Sequence, residues 1–149
     1  KMILSSTWSE LNEVSRANFS RWIALAEAGD AVLLNRDMRS HIYSPAYLRR
    51  YRAAFEAIEG VGNREELQRF AVYTRACLHS DNRSLLKSLH CPTLVIGAEH
   101  DLVLGKGSQR ALAAQFGCTS YVYPVGYSHA VYDEAEDFVV RLLKFLEEK

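Results

Sequence analysis

The chain has 149 residues, with 18 basic and 18 acidic side chains that cancel, 48% hydrophobic residues and 11% aromatic ones. That balance excludes a disordered chain, a collagen-like repeat and a strongly basic nucleic-acid binder, and it leaves a globular protein with a real core. Apolar runs fall short of the roughly 20 residues a bilayer span needs, and Lys1-Met2-Ile3-Leu4 turns polar too soon for a signal peptide, so a cytoplasmic protein without nucleic-acid or membrane partners is expected.

Lys1 to Ser6, with Met2, Ile3 and Leu4 contiguous, reads as a short strand. From about Glu10 to Ala28, Leu11, Val14, Asn18, Trp22 and Leu25 recur at three- and four-residue spacing, and Gly29 follows where a left-handed residue ends a helix. Ser44-Pro45 supplies a capping hydroxyl and an N1 proline for a second helix running to Glu59, with Tyr47, Leu48, Tyr51, Ala54, Phe55 and Ile58 on one stripe. Asn63 with Glu66 predicts a capping box and a third helix to about His79, its face made by Leu67, Phe70, Ala71, Thr74 and Leu78.

After His90 the period changes. Cys91 to Gly97 is a short apolar run bounded by Pro92 and Gly97 and reads as a buried parallel strand. A helix from about Gly107 to Phe116, a strand from Thr119 to Pro124, and a last helix beginning at Asp133 with Glu136 complete the chain. This alternation predicts right-handed crossovers onto a parallel sheet. Cys77, Cys91 and Cys118 are odd in number and widely spaced, which predicts reduced, mostly packed thiols and no disulfide framework or zinc cage.

In open parallel sheets, functional groups sit beyond the carboxyl ends of the strands. Asp101 follows the strand ending at Gly97, and His129 lies in the turn Gly126-Tyr127-Ser128-His129 after the next strand. If the strands are neighbours, the carboxylate can hold the imidazole in one tautomer and stabilise its protonated form. Each residue also suits a plainer role: Asp101 as a turn or N-cap residue, His129 as a cap on the last helix. Asp133 and Glu134 read as charges at a helix start, Glu99 and His100 as solvated turn residues. His41, His79 and His90 lack ligand spacing, so no metal site is expected.

Residues 91–149 resemble the C-terminal segment of the α/β-hydrolase superfamily, through Pro92-Thr93-Leu94-Val95-Ile96, Gly97-x-x-x-Asp101, Gly126-Tyr127-Ser128-His129 and Glu134. The resemblance implies that Asp101 is the acid of a catalytic triad and His129 its general base. It implies a core strand at 1–7, a helical lid at 8–89 and a C-terminal core segment at 90–149. The fold class expected is therefore α/β, the C-terminal portion of a hydrolase parallel sheet with an inserted, mostly helical lid. The spacing to Asp101 is one residue longer than the commonest, Ser128 stands where the family usually has Gly, and Glu136 where a Pro is usual. More consequentially, no Gly-x-Ser-x-Gly elbow and no HGGG-type oxyanion segment occurs in the sequence.

The implied function is the lid and acid/base half of a serine-type hydrolase that cleaves an ester, thioester or lactone without a cofactor, inactive without the segment carrying the nucleophile. Its expected partners are a small-molecule acyl substrate and the missing N-terminal segment or a second copy. Of the aromatic residues concentrated in the helical region, including Trp22, Phe70 and Tyr73, most read as its core; Trp8 and Ser9, just past the first strand, are the substrate-binding candidates by connectivity. Haloalkane dehalogenases and epoxide hydrolases share the C-terminal pattern with an Asp nucleophile, an alternative chemistry. A non-catalytic module that self-associates or completes a partner's sheet is the alternative from another class. Three apolar strands are too few for a doubly wound core, so the sequence reads as part of a chain on the order of 250 residues.

Overall fold

Three short strands, β1 (Met2–Ser5), β2 (Thr93–Ala98) and β3 (Thr119–Tyr123), form one parallel sheet with β2 in the centre. The computed structural model describes residues 1–86 and 88–148; Lys87 and Lys149, which the sequence reading assigns to the helical insertion and the last core segment, lie outside the described residues. Ser5 pairs with Ile96 and Ala98 with Tyr123, so the carboxyl ends of all three strands open on the same edge. β2 is buried throughout, as its unbroken apolar run requires.

Among the described residues, six helices lie between β1 and β2: α1 (Glu13–Glu27), α2 (Ala31–Ile42), α3 (Pro45–Arg50), α4 (Arg52–Ala57), α5 (Arg64–Leu78) and α6 (Arg83–Leu86). Side-chain caps start the longer ones. Asn12 accepts from Ser15 N–H at 3.0 Å, Asp30 from Leu33 N–H at 2.9 Å, and Asn63 with Glu66 forms the expected capping box. Gly29, at φ 77°, ends α1 as its position predicts.

Three expectations need correction here. α2 was not expected, although Asp30 caps it and Ala31, Leu34, Met38 and Ile42 share helical spacing. The helix foreseen from Pro45 to Glu59 is two six-residue helices that part at Tyr51; neither buries a residue, so no packing surface enforces one axis. The buried face of α1 is also rotated, since Val14 is 48% exposed whereas Phe19, Ile23 and Ala26 are buried. α1 and α5 build the helical core, joined by Leu34 of α2 and by Val103 and Leu104 from the turn after β2.

The last third supplies α7 (Ser108–Phe116), α8 (Val131–Glu134) and α9 (Phe138–Glu147). Strand alternation divides the sheet's faces: Val95 packs on Leu112 and Ala113 of α7, while Leu94, Ile96 and Ala98 pack with Val131, Ala135 and Phe138 on the opposite side. The single last helix foreseen from Asp133 is interrupted, because Ala135 takes an extended conformation. Cys77 and Cys118 are half-buried and Cys91 is exposed; all three are free thiols. Among the described residues no helix is long and apolar enough to cross a membrane.

Candidate active site

The turns after β2 and β3 meet. Asp101 Oδ2 lies 2.8 Å from His129 Nδ1, and the aspartate side chain is fully buried while the imidazole keeps 18% exposure. Asp101 Oδ1 accepts the backbone N–H groups of Val103 and Leu104 at 2.9 and 2.8 Å. The plain turn role and the contact with histidine are therefore carried by different oxygens of one carboxylate. With both oxygens acting as acceptors, Nδ1 is the protonated ring nitrogen and Nε2 carries the lone pair.

The turn is fixed from α1. Asn18 Nδ2 donates to the carbonyls of Leu102 and Val103 at 2.8 and 3.1 Å, and Asn12 Nδ2 donates to that of Leu104 at 2.6 Å. Sequence reading placed Asn18 in an apolar stripe and gave it no role. A buried amide on that stripe was the available signal, because a buried amide needs partners.

His129 lines a cavity of about 230 Å³ walled by Trp8, Phe19, Trp22, Met38, Ile42, Phe70, Thr74, Cys77 and Val103. The indole N–H groups of Trp8 and Trp22 are already used, by Ser80 Oγ at 2.9 Å and Asp37 Oδ2 at 2.6 Å, so the wall is apolar in effect. Trp8 thus lines the same cavity as His129. Ser9 does not: its hydroxyl donates to Gln115 Oε1 at 2.5 Å, in a separate recess against α7. Tyr43, Tyr47, Tyr51 and Phe55 pack on one another away from this cavity, and Tyr73 is 70% exposed.

Asp133 and Glu134, expected to sit at the start of the long last helix, lie on α8 and reach the helical layer. Asp133 Oδ2 accepts from the Tyr43 hydroxyl at 3.2 Å, and Glu134 Oε1 accepts from Ser44 N–H at 2.7 Å. Burial, with the Asp133 charge adding to it, pushes the Tyr43 hydroxyl up to about 12, so it remains a donor across the neutral range. Glu99 pairs with Arg110 at 2.9 Å. Among the described residues no group of three or more His, Cys, Asp or Glu is placed to hold a metal ion.

Comparison with solved structures identifies the architecture. An α/β hydrolase enzyme from a Medee basin deep-sea metagenome library matches all of this chain with a TM-score of 0.86 at 18% identity. The chain has the α/β-hydrolase fold, in its C-terminal part. The enol-lactonase from Burkholderia xenovorans matches 99% of the chain with a TM-score of 0.80 at 20% identity, and a thermophilic esterase from Thermogutta terrifontis matches 95% with 0.70 at 17%. The chain spans just over half of these structures, 56%, 56% and 53% of their respective lengths. No family model matches the sequence, and no curated protein matches it significantly. An imidazole whose Nδ1 is engaged by a buried carboxylate and which faces an apolar cavity has Nε2 left to exchange a proton with a group bound there.

Proposed function

We propose that this chain is the lid and acid/base half of a serine-type acyl hydrolase. His129 is its general base, Asp101 the acid that orients it, and residues 8–89 the lid. The observation that carries this reading is the 2.8 Å contact between His129 Nδ1 and the buried Asp101 carboxylate at the edge of an apolar cavity. His129 Nε2 takes the proton of a serine hydroxyl as that oxygen attacks the acyl carbon, then returns it to the leaving group. The serine and the oxyanion donors belong to a segment outside this chain, since the sequence holds no Gly-x-Ser-x-Gly. The esterase and the enol-lactonase of the same fold support an ester or lactone as the bond cleaved. The cavity suits an uncharged acyl group, because among the described residues no Asp, Glu, Lys or Arg side chain lines it.

The test compares p-nitrophenyl butyrate hydrolysis by the chain alone and by the protein expressed together with the residues preceding Lys1 in its reading frame. The chain alone is inactive; the longer protein turns over, and H129A lowers its kcat/KM by about 1,000-fold or more. Turnover by the longer protein that H129A leaves unchanged would overturn the assignment.

A second reading, a module that completes its sheet with another polypeptide, is favoured by two observations. The outer edge of β1 has no strand partner among the described residues, and Val139, Val140, Leu143 and Leu146 of α9 are each about half exposed or more. Light scattering that shows a monomer with a cooperative melt would count against it.

A further inference from the structure

Four consecutive residues where α2 turns into α3 are each bonded to the segment that carries His129. His41 O accepts from Ser128 Oγ at 3.2 Å, Ile42 O accepts from Ala130 N–H at 3.0 Å, the Tyr43 hydroxyl donates to Asp133 Oδ2 at 3.2 Å, and Ser44 N–H donates to Glu134 Oε1 at 2.7 Å. The last carbonyls of a helix have no partner within it and need one from elsewhere. Here those of α2 find it in the residues immediately before and after the histidine.

The contact is built in at both ends. Ser128, Ala130 and Ser44 are all buried, at 3%, 0% and 4% exposure, so each lost bond would strand a polar group away from water. Tyr43 leaves α2 in an extended conformation, φ −113° and ψ 150°, which carries the chain directly along the His129 segment before Ser44 caps α3. Ser128 is the position at which the sequence pattern usually has glycine, and glycine has no hydroxyl to offer His41.

The same helix end forms part of the cavity. Ile42 and Met38 line it together with His129. The cavity wall and the backbone flanking the imidazole are therefore held by one element.

We infer that the α2–α3 corner is a clasp that positions His129, with Ser128 and Glu134 as positioning residues that act through the backbone on either side of it. A group filling the cavity against Ile42 and Met38 bears on the imidazole through this clasp. The inference rests on the reading of His129 as the base of an acyl hydrolase.

The experiment uses the full chain and needs no turnover. In S128A and E134A, exchange of the Ala130 amide rises about tenfold and the NMR pH titration of His129 Hε1 moves from its wild-type midpoint, while His79, which shares no bond with the clasp, is unchanged. E134Q keeps the carbonyl acceptor and restores both readouts. Unchanged exchange and titration in S128A and E134A overturn the clasp, as does an equal change at His79. If either variant fails to fold, Y43F removes one bond near the surface and carries the test, with a rise of a few-fold in Ala130 exchange expected and no rise overturning the inference. Loss of the catalytic reading would show separately, as H129A without effect on turnover in the longer protein.

Discussion

The hydroxyl of Ser6 donates to the backbone carbonyl of His129 at 2.6 Å and so ties the end of β1 to the loop after β3, across the central strand. Ser6 does this from a left-handed backbone, φ 44°, the one such conformation outside glycine among the described residues. That conformation costs an L-residue about 1–2 kcal/mol. Its side chain and its amide, bonded to Ile96 O at 3.0 Å, hold it there.

Replacing Ser6 separates the bond from the strain. Ser6→Ala leaves the His129 carbonyl unpaired and keeps the strained backbone, for a loss of about 1–3 kcal/mol. Ser6→Gly loses the same bond but relaxes the backbone, so it is less destabilised by about 1 kcal/mol. Urea unfolding of both variants reads the order; a glycine variant less stable than the alanine one would show that strain is not stored at Ser6.

Asp101 invites a substitution that keeps shape and changes one donor. In Asp101→Asn the amide oxygen can still accept from Val103 and Leu104, which places an NH₂ opposite His129 Nδ1. Nδ1 must then be the acceptor, and the ring proton moves to Nε2. The expected outcome is a folded protein, destabilised by about 1–3 kcal/mol, whose His129 tautomer is reversed in ¹⁵N spectra. An unaltered tautomer would mean that the carboxylate does not choose the ring's protonation.

How far sequence carried these conclusions depends on which kind of interaction decides each element. The strands, the Gly29 stop and the Asn63–Glu66 box were legible because local chemistry fixes them. Asp101 and His129 were legible as a pair because parallel neighbouring strands deliver their following turns to one edge. α2 is hard to read from periodicity although Asp30 caps it, since its periodic positions are diluted by Asn35, Arg36, Asp37 and Arg39. The roles of Asn18, Ser6 and Ser128 were not legible, because each bonds a carbonyl more than 80 positions away in the chain. Only tertiary structure brings such partners together.

Gly97, read from sequence as the boundary of a strand, lies inside β2 for a packing reason. A Cβ there would stand 2.5 Å from Cγ of Gln109, which is fully buried and donates to Thr7 O at 3.2 Å. Gly97→Ala is expected to cost about 1–3 kcal/mol by overpacking. In Gly97→Ala/Gln109→Ala the obstructing side chain is gone, so the double variant should be more stable than the sum of the single losses predicts, by about 0.5 kcal/mol or more. Strict additivity in a double-mutant cycle would place the clash elsewhere.

The Tyr123–Asp137 contact makes part of the stability depend on pH. The Tyr123 hydroxyl donates to Asp137 Oδ1 at 2.8 Å and holds that carboxyl below the usual carboxylate range, against a smaller opposing effect of burial, and Arg141 adds to the lowering. Burial, with Asp137 next in weight, pushes the tyrosine itself upward, so it stays a donor throughout. A carboxyl lowered in the folded state contributes stability that is present above its unfolded value, about 4, and is lost as pH falls through its folded value. Tyr123→Phe removes the leading cause. The gap in urea midpoint between wild type and this variant should therefore hold steady from about pH 7 to about pH 5 and narrow from about pH 4 downward. A gap of constant size across the whole range would assign the tyrosine's contribution to packing with Tyr121 and Tyr127, whose rings lie 4.9 and 5.0 Å from its own.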